Sequence, residues 1–235
     1  MNQTSSILLI IGIGVVLGLV WSYSIIMNIF RIRRTPTGST NSLPEAGQVE
    51  LVGHANEAVT QSPISKAPCV IYETMVEEQR SSGKHSHWDT VYHEKSTQVF
   101  EITDEYGKIK VAPEDASLVL HDDVKSSSNL FSNFDSGTES ALNRLGIATT
   151  GLFGLKNSLR VTERYIAAGD LIYVLGPIAI NGNQKIISSG SGGSILISDR
   201  SEKALLNALY LKIILRILGI EAFASFIIFI IIFNH

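Results

Sequence analysis

His85, His87 and His93, with Asp89 and Glu94 beside them, form the densest group of metal-ligating side chains in the sequence. In an extended segment His85 and His87 point to one face. A catalytic zinc needs three protein ligands fixed by further hydrogen bonds, and these usually come from separated parts of a fold. The surrounding SSGKHSHWDT is polar and reads as a hairpin loop, so the histidines read as solvated and no metal or cofactor is expected. The glycine-rich SSGSGGS at 188–194 could cradle a phosphate on backbone amides. It lacks the GxGxxG spacing and a following lysine, and it precedes a strand rather than a helix, so it reads as a loop. Cys69 lies in an apolar run, where a thiol packs and does not react. No serine sits in a GxSxG elbow. The residues nominate no nucleophile with its base, and the expected catalytic set is empty.

The elements around these residues are mostly short strands. Val49–Gly53, Cys69–Val76, Thr90–Tyr92, Gln98–Thr103, Lys108–Val111, Ser117–Leu120, Asp170–Leu175, Gln184–Ile187 and Ser194–Ile197 all read as strands, with a tight turn at Tyr106-Gly107. Such a series suggests a small antiparallel barrel or sandwich. The domain is expected over 47–200, after a linker at 35–46 rich in Thr, Ser, Pro and Gly. Residues 121–163 break the rhythm and read as an insertion. It holds one short helix, capped by a Ser136/Glu139 box, and a glycine-punctuated flap whose Leu152, Phe153 and Leu155 would touch a membrane or partner, or else cap the core.

Both ends of the 235-residue chain are greasy. Ile7–Phe30 carries no charge, and at about 1.5 Å per residue it reaches roughly 36 Å, enough to cross a bilayer. Arg31, Arg33 and Arg34 follow it, the reverse of a secretory signal. Ile217–Phe233 is a shorter span holding one charge, Glu221, with Lys212 and Arg216 expected to snorkel. The expected class is thus an α+β membrane protein, with two transmembrane segments (1–34 and 201–235) flanking a β-rich domain. Residues 35–202 carry 13 basic against 21 acidic side chains, whereas the ends carry 6 against 1. The basic residues abut the domain side of each span, so the positive-inside rule puts the 35–200 domain in the cytoplasm and both termini outside. An acidic domain without basic–aromatic patches disfavours nucleic acid. Gly14 and Gly18 form a GxxxG pattern that permits close helix approach and hence a homo-oligomer, although glycine is common in membrane helices. Glu221 marks either a functional intramembrane carboxylate or one hydrated near the headgroups.

Several segments together carry a family resemblance: GQVELVGHANE, SPISKAPCVIYETMVEE, Trp88, VFEITDEYGKIKVAPEDA, TERYIAAGDLIYVLGPI and GGSILISDRSEKALLNALYLKIILRILG. In this order they resemble the GIDE-type or beside-a-membrane domain of the mitochondrial ubiquitin ligase activator proteins and their chloroplast relatives. The resemblance implies a helix, a domain and a second helix. Those ligases continue into a RING finger, which needs zinc-binding cysteines; with one cysteine this chain reads as RING-less, and ligase activity is not expected to carry over. Finger-less relatives in bacteria and archaea imply a prokaryotic cell membrane.

Positions shared with the motif nominate Glu77, Asp104 and Glu163 as a polar site and Trp88 as a further binding residue, while Tyr72 and Trp88 are also expected to fill the core. The leading expectation is a non-catalytic scaffold or sensor that binds an unidentified protein partner beside the bilayer. An oligomeric pore with Glu221 lining it ranks second, and a hydrolase on the histidine cluster third.

Overall fold

The computed structural model describes residues 3–82, 85–128, 133–150, 157–189 and 193–233. The chain divides into two compact units, Met1–Pro36 with Glu202–His235, and Thr37–Ser201.

The first unit is a pair of helices, α1 (Gln3–Arg34) and α3 (Glu202–Phe233), with α2 (Ser136–Arg144) lying in the other unit. A methyl group on Gly18 would stand 2.5 Å from Ile220 Cδ1, and one on Gly14 would stand 3.1 Å from Ile220 Cγ2. The missing side chains let α3 approach here, so the GxxxG face meets a helix of its own chain. Arg216 turns to α1, where Nη1 donates to the Trp21 carbonyl at 2.7 Å and the guanidinium lies 4.5 Å from the centre of the indole ring. These contacts make the helices antiparallel. Leu17, Val20, Leu215, Leu218, Phe223 and Phe226 are exposed around the pair, and Glu221 is exposed too. Among the described residues no single helix is long and apolar enough to cross a membrane. The segments Gly12–Gly18 and Val20–Arg34, bent by 45°, meet that measure together by length and composition.

Among its described residues the second unit holds thirteen strands and a short α-helix. In chain order they are β1 (Gly47–Ala55), β2 (Thr60–Gln61), β3 (Pro68–Cys69), β4 (Ile71–Ser82), β5 (His85–Lys95), β6 (Phe100–Thr103), β7 (Lys108–Ala112), β8 (Ser117–Val119) and β9 (Val124–Ser128). Then come α2 (Ser136–Arg144), β10 (Leu159–Ile166), β11 (Leu171–Asn181), β12 (Gln184–Ser188) and β13 (Leu196–Ser198).

Strands β1, β6, β7, β12 and β11 close into a five-stranded barrel, because β11 pairs with both β12 and β1. The expected barrel is therefore present, but it is not purely antiparallel: β12 runs parallel to β7, and β13 parallel to β8. Alternation along β1 explains closure. Val49, Leu51 and Ala55 point to the core with Ile102, Val111, Ile172 and Val174, while Val52 and His54 point out. Gly53 belongs to the inward set and must be glycine, since a methyl there would meet the Thr103 carbonyl at 2.6 Å.

The remaining long strands form a second sheet in the order β5-β4-β10-β9. Two expectations change here. The 121–163 stretch is not all insertion, for it supplies β9 and most of β10. The histidine segment read as a loop is strand β5, paired along β4 with a bulge at Val76/Glu77. Helix α2 packs on the inner face of this sheet, where Ala141, Leu142 and Phe134 meet Ile64, Val76, Leu159 and Val161. Its cap is Asp135, one residue before the expected Ser136. The Asp135 carboxylate accepts from the Thr138 N–H at 2.9 Å and from the Thr138 hydroxyl. The helix stops at Gly146 (φ +75°), with the Ile147 N–H bonded to the Leu142 carbonyl. Leu152, Phe153 and Leu155 lie outside the described residues.

The segment expected to be a free linker is tied to the barrel. The Gly38 N–H donates to the Glu50 carbonyl at 2.8 Å, the short 3-10 turn Thr40–Ser42 meets Asp104, and Lys185 Nζ reaches the Leu43 carbonyl and Glu45.

Candidate functional site

The three carboxylates nominated from the sequence do not converge. Each stands in a different setting, and the setting decides what each one does.

Glu163 is fully buried on the inner face of the second sheet, opposite Thr74. It accepts from the Ile64 N–H (2.8 Å), the Ser65 N–H (3.0 Å), the Ser65 hydroxyl (2.6 Å) and the Thr74 hydroxyl (3.2 Å). The loop between β2 and β3 wraps its main-chain donors around this group, helped by Lys66 at φ +60°. Four donors satisfy a buried carboxylate and leave it little capacity for a ligand. Cys69 lies close by. Burial, and then the charge of Glu163, push its thiol up to about 11 against an opposing bond from the Ser62 main chain. The thiol is protonated and inert, as the apolar run implied.

Asp104 belongs to the β6–β7 turn. Its Oδ1 accepts from the Thr40 hydroxyl (2.6 Å), the Tyr106 N–H (2.8 Å) and the Gly107 N–H (2.9 Å), and its Oδ2 from the Thr40 N–H (2.7 Å). Burial opposes ionisation here, but these bonds outweigh it and hold the carboxyl below its ordinary range. Asp104 thus shapes the hairpin and clasps the 37–42 strap onto the barrel.

Glu77 and Trp88 do come together, on the outer face of the second sheet. The link is Arg160, which sequence reasoning did not single out. Arg160 pairs directly across from Glu77 in the β4–β10 register, binds its carboxylate through Nε and through Nη2 (2.7 Å to Oε1), and stacks 4.5 Å from the centre of the Trp88 ring. The Arg160 bond holds the Glu77 carboxyl below its usual range, more than burial raises it. Trp88 is 37% exposed and does not fill the core as expected, whereas Tyr72 is 8% exposed and does.

A second row crosses the same face four residues further along. Glu73 receives His93 Nε2 (3.1 Å), Lys95 Nζ (3.4 Å) and Arg164 Nη1 (2.9 Å). Arg164 Nε bonds Asp122 (2.5 Å), which also takes Lys125 (2.6 Å). Burial works against ionisation of Glu73, yet the His93 bond, the Lys95 charge and Arg164 together lower its pKa. The signal for both rows was present in the sequence. Glu73 and Glu77 are four apart, as are Arg160 and Arg164, and in strands that spacing puts each pair on one face.

The histidines disperse. His87 pairs with Asp89 (3.3 Å), His93 belongs to the Glu73 row, and Glu94 turns to the inner face, where Tyr72 (2.8 Å) and Tyr92 donate to it. Burial first, then the bond to Glu94, raises both phenols above their ordinary pKa. Among the described residues no three His, Cys, Asp or Glu side chains stand close enough to hold a metal.

No curated protein and no solved structure matches the chain. One family model does: GIDE, described as E3 ubiquitin ligase, matches residues 71–230, about two thirds of the sequence. The matched range spans β4 to β13, with both charged rows, and runs on into α3. The chain belongs to the GIDE family.

Proposed function

We propose that this GIDE-family chain is a membrane-anchored, non-catalytic binding protein, a scaffold or sensor whose second sheet presents its outer face to a protein partner. The observation that carries this reading is the Glu77–Arg160–Trp88 cluster. It joins a planar cation, a carboxylate and an exposed indole on a rigid strand surface, the side-chain types that anchor protein interfaces. Glu163 and Asp104, by contrast, are consumed by bonds within the fold. Within a family described by ubiquitin ligation, these residues would contribute recognition and not transfer.

The anchor reading rests on the apolar spans and on the antiparallel pairing of α1 with α3. That pairing brings Gln3 and Phe233 toward one end and Arg31, Arg33 and Arg34 to the other. Together with the positive-inside rule it supports a reading in which the domain lies in the cytoplasm and both termini outside, and the family's finger-less members favour a prokaryotic cell. The oligomeric pore has less support, since Gly14 and Gly18 face Ile220 of the same chain.

The test is affinity purification of full-length chain from native membranes, with wild type, Trp88→Ala and Arg160→Glu compared. A partner recovered with wild type and lost with both variants supports the reading. A partner retained equally by all three removes the outer face as the binding surface.

A further inference from the structure

Strand β1 is paired unequally along its two edges. Toward β11 it is paired from Gly47 to His54, but toward β6 at His54 and Ala55 alone. The hydrogen bonds fix which main-chain groups face which edge. The Ala55 N–H and carbonyl go to Asp170 and Gly169 on the β11 side. The Asn56 N–H goes to the Glu101 carbonyl, and the Glu50 carbonyl takes the Gly38 N–H, both on the β6 side. Main-chain groups alternate between the edges of a strand. Val52 has the parity of Glu50 and Asn56, so its N–H and carbonyl face the β6 side. There the strap attaches at Glu50, β6 attaches at His54, and the Asp104–Gly107 turn carries the chain away between them. Val52 is passed over.

The gap is a groove of about 470 Å³ at Gly38, Val52, His54, Thr103, Tyr106 and Leu171. That volume is in the range of small-ligand sites. Its rim is apolar, with Val52, Tyr106 and Leu171 all exposed. The Asp104 carboxylate in its wall is already held by Thr40, Tyr106 and Gly107. The groove therefore offers an ion little, and it offers one strand-type donor and acceptor flanked by apolar surface.

We infer that this groove binds an extended peptide segment, one residue of which pairs its N–H and carbonyl with Val52 while its apolar side chain rests against Leu171 and Tyr106. This is strand addition over the short gap that the barrel leaves between β1 and β6. It stands apart from the outer face of the second sheet and does not depend on it.

The test uses ¹⁵N-labelled full-length chain in detergent micelles. The probe is acetyl-Ala-Leu-Ala-N-methylamide, with an analogue in which an ester replaces the leucine amide. In the unliganded protein the Val52 amide is expected to exchange at least tenfold faster than those of Leu51 and Gly53, which face β11. The peptide is expected to slow Val52 at least tenfold and to shift Gly38, Val52 and Tyr106. The ester is expected to bind at least fivefold more weakly. Leu171→Asp, at an exposed position, is expected to weaken peptide binding at least fivefold and leave the exchange of free Val52 unchanged. Three results overturn the inference: Val52 as slow as Leu51 before peptide is added, no shift in the groove at millimolar peptide, or equal binding of ester and amide.

Discussion

The two faces of the second sheet use the same pair of strands for opposite ends. On the inner face, Glu163 of β10 lies across from Thr74 of β4, is closed from water, and has its oxygens filled by a loop of its own chain. On the outer face, Glu77 and Glu73 of β4 lie across from Arg160 and Arg164 of β10, and their partners remain partly open to solvent. A carboxylate whose donors are buried main-chain amides is a structural clamp, because removing it strands those donors. A carboxylate paired with an exposed arginine on an aromatic ring adds little to stability, and it leaves a shaped, polar surface for another molecule. Residue type does not separate these roles; the parity of the position in its strand does.

The comparison breaks first at Glu163. Glu163→Ala leaves the Ile64 and Ser65 amides buried without their acceptor, and it is expected to cost on the order of 3–5 kcal/mol in chemical denaturation. A loss under about 1 kcal/mol would show that the loop does not depend on this group. Asp104→Ala comes next. It removes the clasp between the strap and the β6–β7 turn, with an expected loss of about 1–2 kcal/mol and faster amide exchange at Thr40. Unchanged exchange at Thr40 would mean that the strap holds by other contacts.

Glu73 gives a smaller effect with a definite sign. Its pKa is lower in the folded chain than its ordinary value of 4.5. Such a group adds stability that is complete above the unfolded pKa and is lost as pH falls through the folded one. Wild type should therefore lose stability below about pH 4.5 more steeply than Glu73→Gln. Parallel curves for the two proteins would remove Glu73 from the acid response. The smallest expected effect is at Arg160. Arg160→Glu should leave the unfolding midpoint close to that of wild type while abolishing partner binding. A variant that unfolds as readily as Glu163→Ala would erase the distinction between the faces.

How much of this was legible follows from the same parity. The barrel strands announced themselves by alternation, as in Val49, Leu51 and Ala55, or Phe100 and Ile102. The start of strand β10, before Glu163, was hidden because LRVTERYI carries a buried glutamate on its inner face and two arginines on its outer face, so neither face reads as cleanly apolar. Strand β5 was legible only at Thr90–Tyr92, because an edge strand exposed along most of its length has the composition of a loop. Closure of the barrel through parallel pairing of β7 with β12 is long-range and leaves no local mark. Glu163, Asp104 and Glu77 could be picked out by motif membership, but their separate settings could not, because these depend on what lies across the sheet. The cap at Asp135 was missed by one residue because Ser136 fits the same capping pattern.

Site-specific photocrosslinking in native membranes tests the division most directly, with the reactive side chain placed at position 88 on the outer face or at position 180, an exposed isoleucine on the barrel strand β11. The account predicts a discrete protein adduct from position 88, abolished by Arg160→Glu, and none from position 180. Equal adducts from both positions, or an adduct at 88 that survives Arg160→Glu, would contradict it.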